Sequence, residues 1–334
     1  MRRKFVTCVA KIVAAGLLAW LCLTLFCMWY YNIPVHAEDV SGATDYKWEE
    51  NAFHSRATEG FSFGTTNNEG FNNLYDYEVG MEVDVLVMGS SHMEGFNVDM
   101  SETTASRLDV LMENDTVYNI GISGHTLPVC LDNLSSALEK YNPEKYLIIE
   151  TDTIEFSDEI LIKAINDNTE EKPSHTGGII GLLQKNQYLR LAYKQLSSFI
   201  DNNADNRDVT TDNAGAAQDT ELLIAFVDKI AATISDWQSE GGTLIIAYHP
   251  SVVISEDGTL QLNKNEQAVQ EFAQLCEARG ILFLDISDRI LEEYAKDYTL
   301  PYGFSNSSVG KGHMNKYGHA MMAEELYKLM KEAE

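Results

Sequence analysis

Five short apolar runs constrain this chain more than any other feature: Val83–Met88, Thr116–Ile120, Lys145–Glu150, Thr243–Tyr248 and Ile281–Asp285. Each is short and rich in β-branched or aromatic residues, and each ends in a small or polar cluster, which is how a buried strand reads. The stretches between and just after them carry apolar residues at helical spacing: Ser101–Met112, Pro128–Tyr141, Glu221–Trp237, Asn265–Arg279 and Asp288–Tyr298. Strands alternating with helices imply a parallel sheet with right-handed crossovers. The expected fold class is therefore α/β.

The first run stops at Gly89-Ser90-Ser91-His92. Gly89 supplies the conformational freedom for a sharp exit from the sheet, leaving the two serines at the carboxyl end of a strand. Ligands bind at that end in open α/β sheets. A serine there is a candidate nucleophile, weak until a base takes its proton. The plain alternative is a turn whose serines only bond the backbone. The second run leads into Gly121-Ile122-Ser123-Gly124-His125-Thr126, and the third into Thr151-Asp152-Thr153. Near the C-terminus, Gly312-His313-Met314-Asn315 precedes an expected helix, Ala320–Met330. A base needs hydrogen-bond reach of its nucleophile, not proximity in sequence.

Residues 1–37 form a separate unit. The apolar run Ile12–Val35 follows Arg2, Arg3, Lys4 and Lys11 and is long enough to cross a bilayer as a helix. The basic flank places the N-terminus in the cytoplasm and the rest of the chain outside, with Trp29, Tyr30 and Tyr31 at the interface. A retained anchor is the expected reading; a signal peptide cleaved after Val35-His36-Ala37 is its competitor. Residues 38–80 are polar with scattered aromatics and are expected to be a stalk and surface loops. Residues 81–334 form the main domain, interrupted by an insertion at about 155–219 that holds helical pieces and a polar loop, Asp201–Asp219.

Charge and cysteines narrow the function classes. The net charge is -27, which argues against nucleic acid as a partner, since phosphate binding needs a basic footprint. No cysteine pair has metal-ligand spacing, so no zinc site is expected. Cys130 and Cys276 are read as buried free thiols, with a disulfide as the alternative.

The order Gly89-Ser90-Ser91, Asn119-x-Gly121-x-x-Gly124-His125-Thr126, a strand ending near Asp152, then His313-Met314-Asn315-x-x-Gly318-His319 resembles the SGNH (GDSL-type) hydrolase family over about 84–329. The resemblance implies a three-layer α/β/α sandwich with a central, flavodoxin-like parallel sheet, and Ser-His esterase or acyltransferase chemistry without cofactor or metal. It assigns Ser91 as nucleophile, His313 as base, and the Ser91 and Gly124 amides as oxyanion donors, with Ser90, His92, His125 and Asn315 lining the pocket. Two positions depart from the family pattern. Gly310 stands where an acid three residues before the histidine is usual, so either a dyad operates or an acid comes from elsewhere. Asp152 falls at the family's oxyanion asparagine, and an ionised Asp cannot donate. Similar anchored proteins act on acyl esters of envelope polysaccharides, some alongside a multispanning membrane acyltransferase; a non-catalytic carbohydrate-binding or assembly protein on the same fold is the alternative.

Overall fold

The computed structural model describes residues 2–34, 47–166 and 219–333, with 186, 188–189 and 191–192 between them. The chain opens with helix α1 (Arg2–Tyr30). Its segment Arg3–Tyr30 is long and apolar enough to cross a membrane, and its side chains are almost entirely uncovered. The helix stops at Tyr30 rather than continuing through the apolar run to Val35. The chain instead enters strand β1 (Tyr31–Asn32), which pairs antiparallel with β2 (Phe53–Arg56). β2 pairs in turn with β3 (Ser62–Thr65). The region expected to be stalk and surface loops thus holds a hairpin joined directly to the end of α1. The proposed cleavage site at residues 35–37 lies outside the described residues.

The main sheet contains β4 (Val85–Met88), β5 (Val117–Asn119), β6 (Tyr146–Thr151), β7 (Thr243–Tyr248) and, after a small hairpin, β10 (Leu282–Asp285). All four pairings are parallel and the spatial order is β5-β4-β6-β7-β10. This is the flavodoxin-like order, whose direction of winding reverses at β4. The crevice it opens lies where β4 releases Gly89-Ser90-Ser91.

Two cores flank the sheet because successive strand side chains point to opposite faces. Leu86, Met88, Leu147, Ile149, Leu244 and Ile246 pack on one side with helices α4 (Leu127–Tyr141), α6 (Thr220–Ser239) and α7 (Glu266–Glu277). Val85, Val87, Ile148, Ile245 and Ala247 pack on the other with α3 (Thr104–Met112), α8 (Ser287–Asp297) and α9 (Lys316–Ala333). The three-layer α/β/α sandwich is therefore the observed architecture. Cys130 and Cys276 are both buried and free.

Local differences have local causes. Ser101 does not begin a helix: Asp99 caps a single 3-10 turn (Met100–Glu102), and the extended Thr103 then caps α3 by accepting from Ser106 N. The hairpin β8 (Ser251–Ile254) and β9 (Leu260–Asn263) occupies the stretch between β7 and α7, for which no element is read from the sequence. Of the insertion, α5 (Asp158–Ile165), capped by Ser157, is described. Most of the rest of the insertion, including all but the last residue of the expected polar loop Asp201–Asp219, lies outside the described residues.

Candidate active site

At the end of β4 the chain turns through Gly89, whose φ of 152° no other residue adopts readily. A Cβ at this position would also collide with the Glu150 carboxylate. Ser90 follows as the cap of α2 (Ser91–Glu94): its Oγ accepts from His92 N. The same residue donates to Glu150, from its N at 2.7 Å and from its Oγ at 2.9 Å. Glu150 is fully buried and receives a further bond from His249 Nε2 at 2.7 Å. Burial alone would raise that carboxyl, but the His249 bond and charge prevail and hold it below the usual carboxylate range. Ser90 is thereby committed to the floor of the site. Ser91 is not: among the described residues its hydroxyl and its amide make no hydrogen bond.

His313 reaches the same place from the loop before α9. Its Nδ1 lies 2.7 Å from Glu59 Oε2, and its backbone N donates to Glu59 Oε1 at 2.7 Å. Both oxygens of one carboxylate therefore fix this residue, which leaves Nε2 as the free ring nitrogen. Burial opposes ionisation of Glu59, but the bonds from His313, and then Arg56, hold its carboxyl below the ordinary value. The carboxylate on Nδ1 thus comes from the loop between β2 and β3, 254 residues away in sequence, and not from position 310. Sequence reasoning did not name Glu59; the only hint was that the histidine lacked its usual local partner.

Helix α2, which carries Ser91, and the loop that carries His313 are tied through their next residues. Met314 N donates to His92 Nδ1 at 3.0 Å, and the His92 and His313 ring centroids are 5.7 Å apart. Burial, then the neighbouring His249, pushes His92 down to about 3. It is therefore neutral at ordinary pH, with its proton on Nε2, and is occupied as a structural acceptor rather than as a base. Asn306 completes the junction by bonding Gly60 N and the carbonyls of Ala57 and Gly60, which docks the β2–β3 loop on the His313 loop.

A cavity of about 270 Å³ is lined by His92, Asp152, His249, Tyr302 and residues 310–312 among others, with neither Ser91 nor His313 in its lining. The four residues expected to line the pocket divide. His92 lines this cavity. His125 instead lines a separate cavity of about 430 Å³ between β5 and α4. Ser90 is bonded to Glu150, and Asn315 is buried, donating to the Leu300 and Gly303 carbonyls and capping α9 through Tyr317 N. Asp152 stands exposed on the rim, just past the end of β6. Partial desolvation, then the Glu150 charge, raise its carboxyl. Gly124 lies in an open turn at φ 89°, and its amide makes no hydrogen bond among the described residues. That turn is held by Glu94, which is buried and accepts from Ser123 N, Ser123 Oγ and Trp48 Nε1. Among the described residues no group of three or more His, Cys, Asp or Glu is arranged to hold a metal ion.

The chain is similar to solved lipolytic hydrolases of the G-D-S-L type. A lipolytic protein of the G-D-S-L family from Desulfitobacterium hafniense shares 14% identity at a TM-score of 0.39, over 73% of this chain and 98% of that one. The psychrotrophic esterase EstA from Pseudoalteromonas shares 14% at 0.39, over 74% and 96%. The acetyl xylan esterase AlAXEase shares 10% at 0.41, over 73% and 98%. No family model and no curated protein matches the chain.

Proposed function

We propose that this chain is a membrane-anchored serine esterase or O-acyltransferase whose triad is Ser91, His313 and Glu59. The observation that carries this reading is the Glu59 carboxylate on His313 Nδ1. A histidine so held presents Nε2 as base and is stabilised when it becomes an imidazolium. Ser91 Oγ passes its proton to Nε2 as it attacks the ester carbonyl. The unbonded amides of Ser91 and Gly124 receive the oxyanion. The leaving alcohol takes the proton back from His313, and water or a sugar hydroxyl, deprotonated by the same nitrogen, resolves the acyl-enzyme. Asp152, beside the cavity, disfavours nearby negative charge while ionised, so its raised pKa bears on how well the oxyanion is tolerated.

The non-catalytic alternative drew its support from a missing acid and a missing oxyanion asparagine; the Glu59 carboxylate on His313 weakens the first ground, while Asp152 still stands in place of the asparagine. The apolar α1 and its basic flank support an extracytoplasmic location for the rest of the chain, with the N-terminus in the cytoplasm. Acyl esters of cell-envelope polysaccharide are the substrate class, and a multispanning acyltransferase the partner, that the family resemblance suggests for an anchored member. The reading is tested by turnover of a small acetyl ester. Ser91→Ala and His313→Ala should each abolish it, and the double variant should be little worse than either, because residues acting as a unit are not additive. Losses that multiply would contradict a shared proton path.

A further inference from the structure

The end of α1 and the β2–β3 hairpin together form an aromatic surface that the described residues leave largely exposed. Trp29, in the last turn of α1, packs edge-on against Phe53 and Phe63 at centroid distances of 5.6 and 5.3 Å. Phe61 lies 6.2 Å beyond Phe63. The exposures of Trp29, Phe63 and Phe61 are 46%, 51% and 64%. This cluster is fixed to the helix rather than tethered by a linker. Tyr31 and Asn32 pair with Arg56 and Ser55, Ser55 Oγ donates to the Met28 carbonyl, and Ala57 N donates to the Tyr30 carbonyl.

The depth of the cluster follows from α1. After Lys11 the apolar part of the helix rises about 28 Å at about 1.5 Å per residue, which matches a hydrocarbon core of about 30 Å. Trp29 therefore falls at the outer boundary of that core, where Trp is enriched. We propose that the β2–β3 hairpin lies on the bilayer, with Phe61 and Phe63 inserted among the lipids of the outer leaflet. The occupant is a lipid surface because the patch is continuous with the membrane-spanning helix and contacts its boundary tryptophan. This rests on α1 as a retained anchor and is independent of the esterase reading. Its consequence for the site is direct: Glu59, two residues before Phe61, is held at the membrane surface, so the His313 loop docked on it faces the lipid headgroups.

The test uses the full chain in nanodiscs of phosphatidylethanolamine and phosphatidylglycerol. A benzophenone amino acid is placed in turn at Phe61, at Phe63 and at Val110, the last being 73% exposed on α3. After irradiation, mass spectrometry should find phospholipid adducts at 61 and 63 and none at 110. Absence of adducts at 61 and 63, equal adducts at all three, or crosslinks at 61 to a second copy of the chain would overturn the proposal. Extraction with alkaline carbonate checks the anchor separately. A chain released by carbonate would remove the basis of the proposal, whereas a retained chain without adducts would refute the hairpin contact alone.

Discussion

Replacing Glu59 by Gln keeps the shape of the side chain while removing its charge and one of its two acceptors. The amide oxygen can still receive one bond from His313, but the amide nitrogen cannot accept the other. The magnitude follows from the geometry. With Nδ1 and Oε2 2.7 Å apart, the charge centres of an imidazolium and a carboxylate are about 4 Å apart, worth about 4 kcal/mol at the effective dielectric of a near-surface pair. Both side chains are about a quarter exposed, at 26% and 23%, so solvent reduces this to about 2–4 kcal/mol. That corresponds to a loss of about 30-fold to 1,000-fold in kcat/KM. The assay is hydrolysis of p-nitrophenyl acetate by the purified full chain, with thermal melting to establish that the variant is folded. Glu59→Asp, one methylene shorter, should fall between wild type and Glu59→Gln. A folded Glu59→Gln within threefold of wild type, alongside an inactive His313→Ala, would refute the role given to this carboxylate and return the site to a dyad.

Gly312→Ala should act on the same contact, because an added Cβ would collide with Glu59 Oε1 at a backbone φ of 85°; a loss comparable to that of Glu59→Gln is expected in the same assay, and wild-type activity would show that the loop does not depend on this approach. Ser90→Ala removes a helix cap and a donor to the buried Glu150, so it should cost about 1–3 kcal/mol of stability, read as a lower Tm, while keeping activity within tenfold of wild type. Asp152→Asn should raise ester hydrolysis or leave it unchanged, and a hundredfold loss, on the order of a lost oxyanion donor, would mean that a protonated Asp152 already donates. His54 and His319 are buried neutral, pushed down to about 4 and about 3 by desolvation, then by Arg56 and by His92 respectively. Their unfolded forms take up protons below about pH 6.5 and their folded forms do not, so the stabilisation is complete above that pH and is lost as pH falls toward 4. Between pH 7 and 5.5 each should contribute about 1 kcal/mol of destabilisation; a Tm that does not change over this interval would contradict it.

The sandwich was legible because its signals are local. The strands are short β-branched runs, the helices between them have apolar faces, and the turn after β4 announces itself through Gly89 and two serines. His313 was legible for the same reason, since a histidine in a Gly-rich loop before a terminal helix is a compact pattern. Glu59 was not, because its meaning arises only when the β2–β3 loop docks on the His313 loop, and Glu59-Gly60 alone reads as an ordinary turn. The strands around it are four residues long and mix glycine, serine and exposed aromatics, so no alternation stands out. Glu150 could have been singled out as a carboxylate closing an otherwise apolar strand, which demands buried partners. The hairpin of β8 and β9 also carried a signal, Asp257-Gly258 between two apolar runs. The family pattern already set Ser91 apart from Ser90; what the sequence did not show is the partner, Glu150, which takes Ser90 and leaves Ser91 without a bond among the described residues.

The central claim is that Ser91 is a nucleophile activated by His313, and covalent trapping tests it most directly. The purified full chain is treated with a fluorophosphonate and the modified peptide is mapped by mass spectrometry. A single adduct on Ser91 is expected, retained in Ser90→Ala, lost in Ser91→Ala and strongly slowed in His313→Ala. An unmodified wild-type protein, or an adduct on Ser90, would contradict the account.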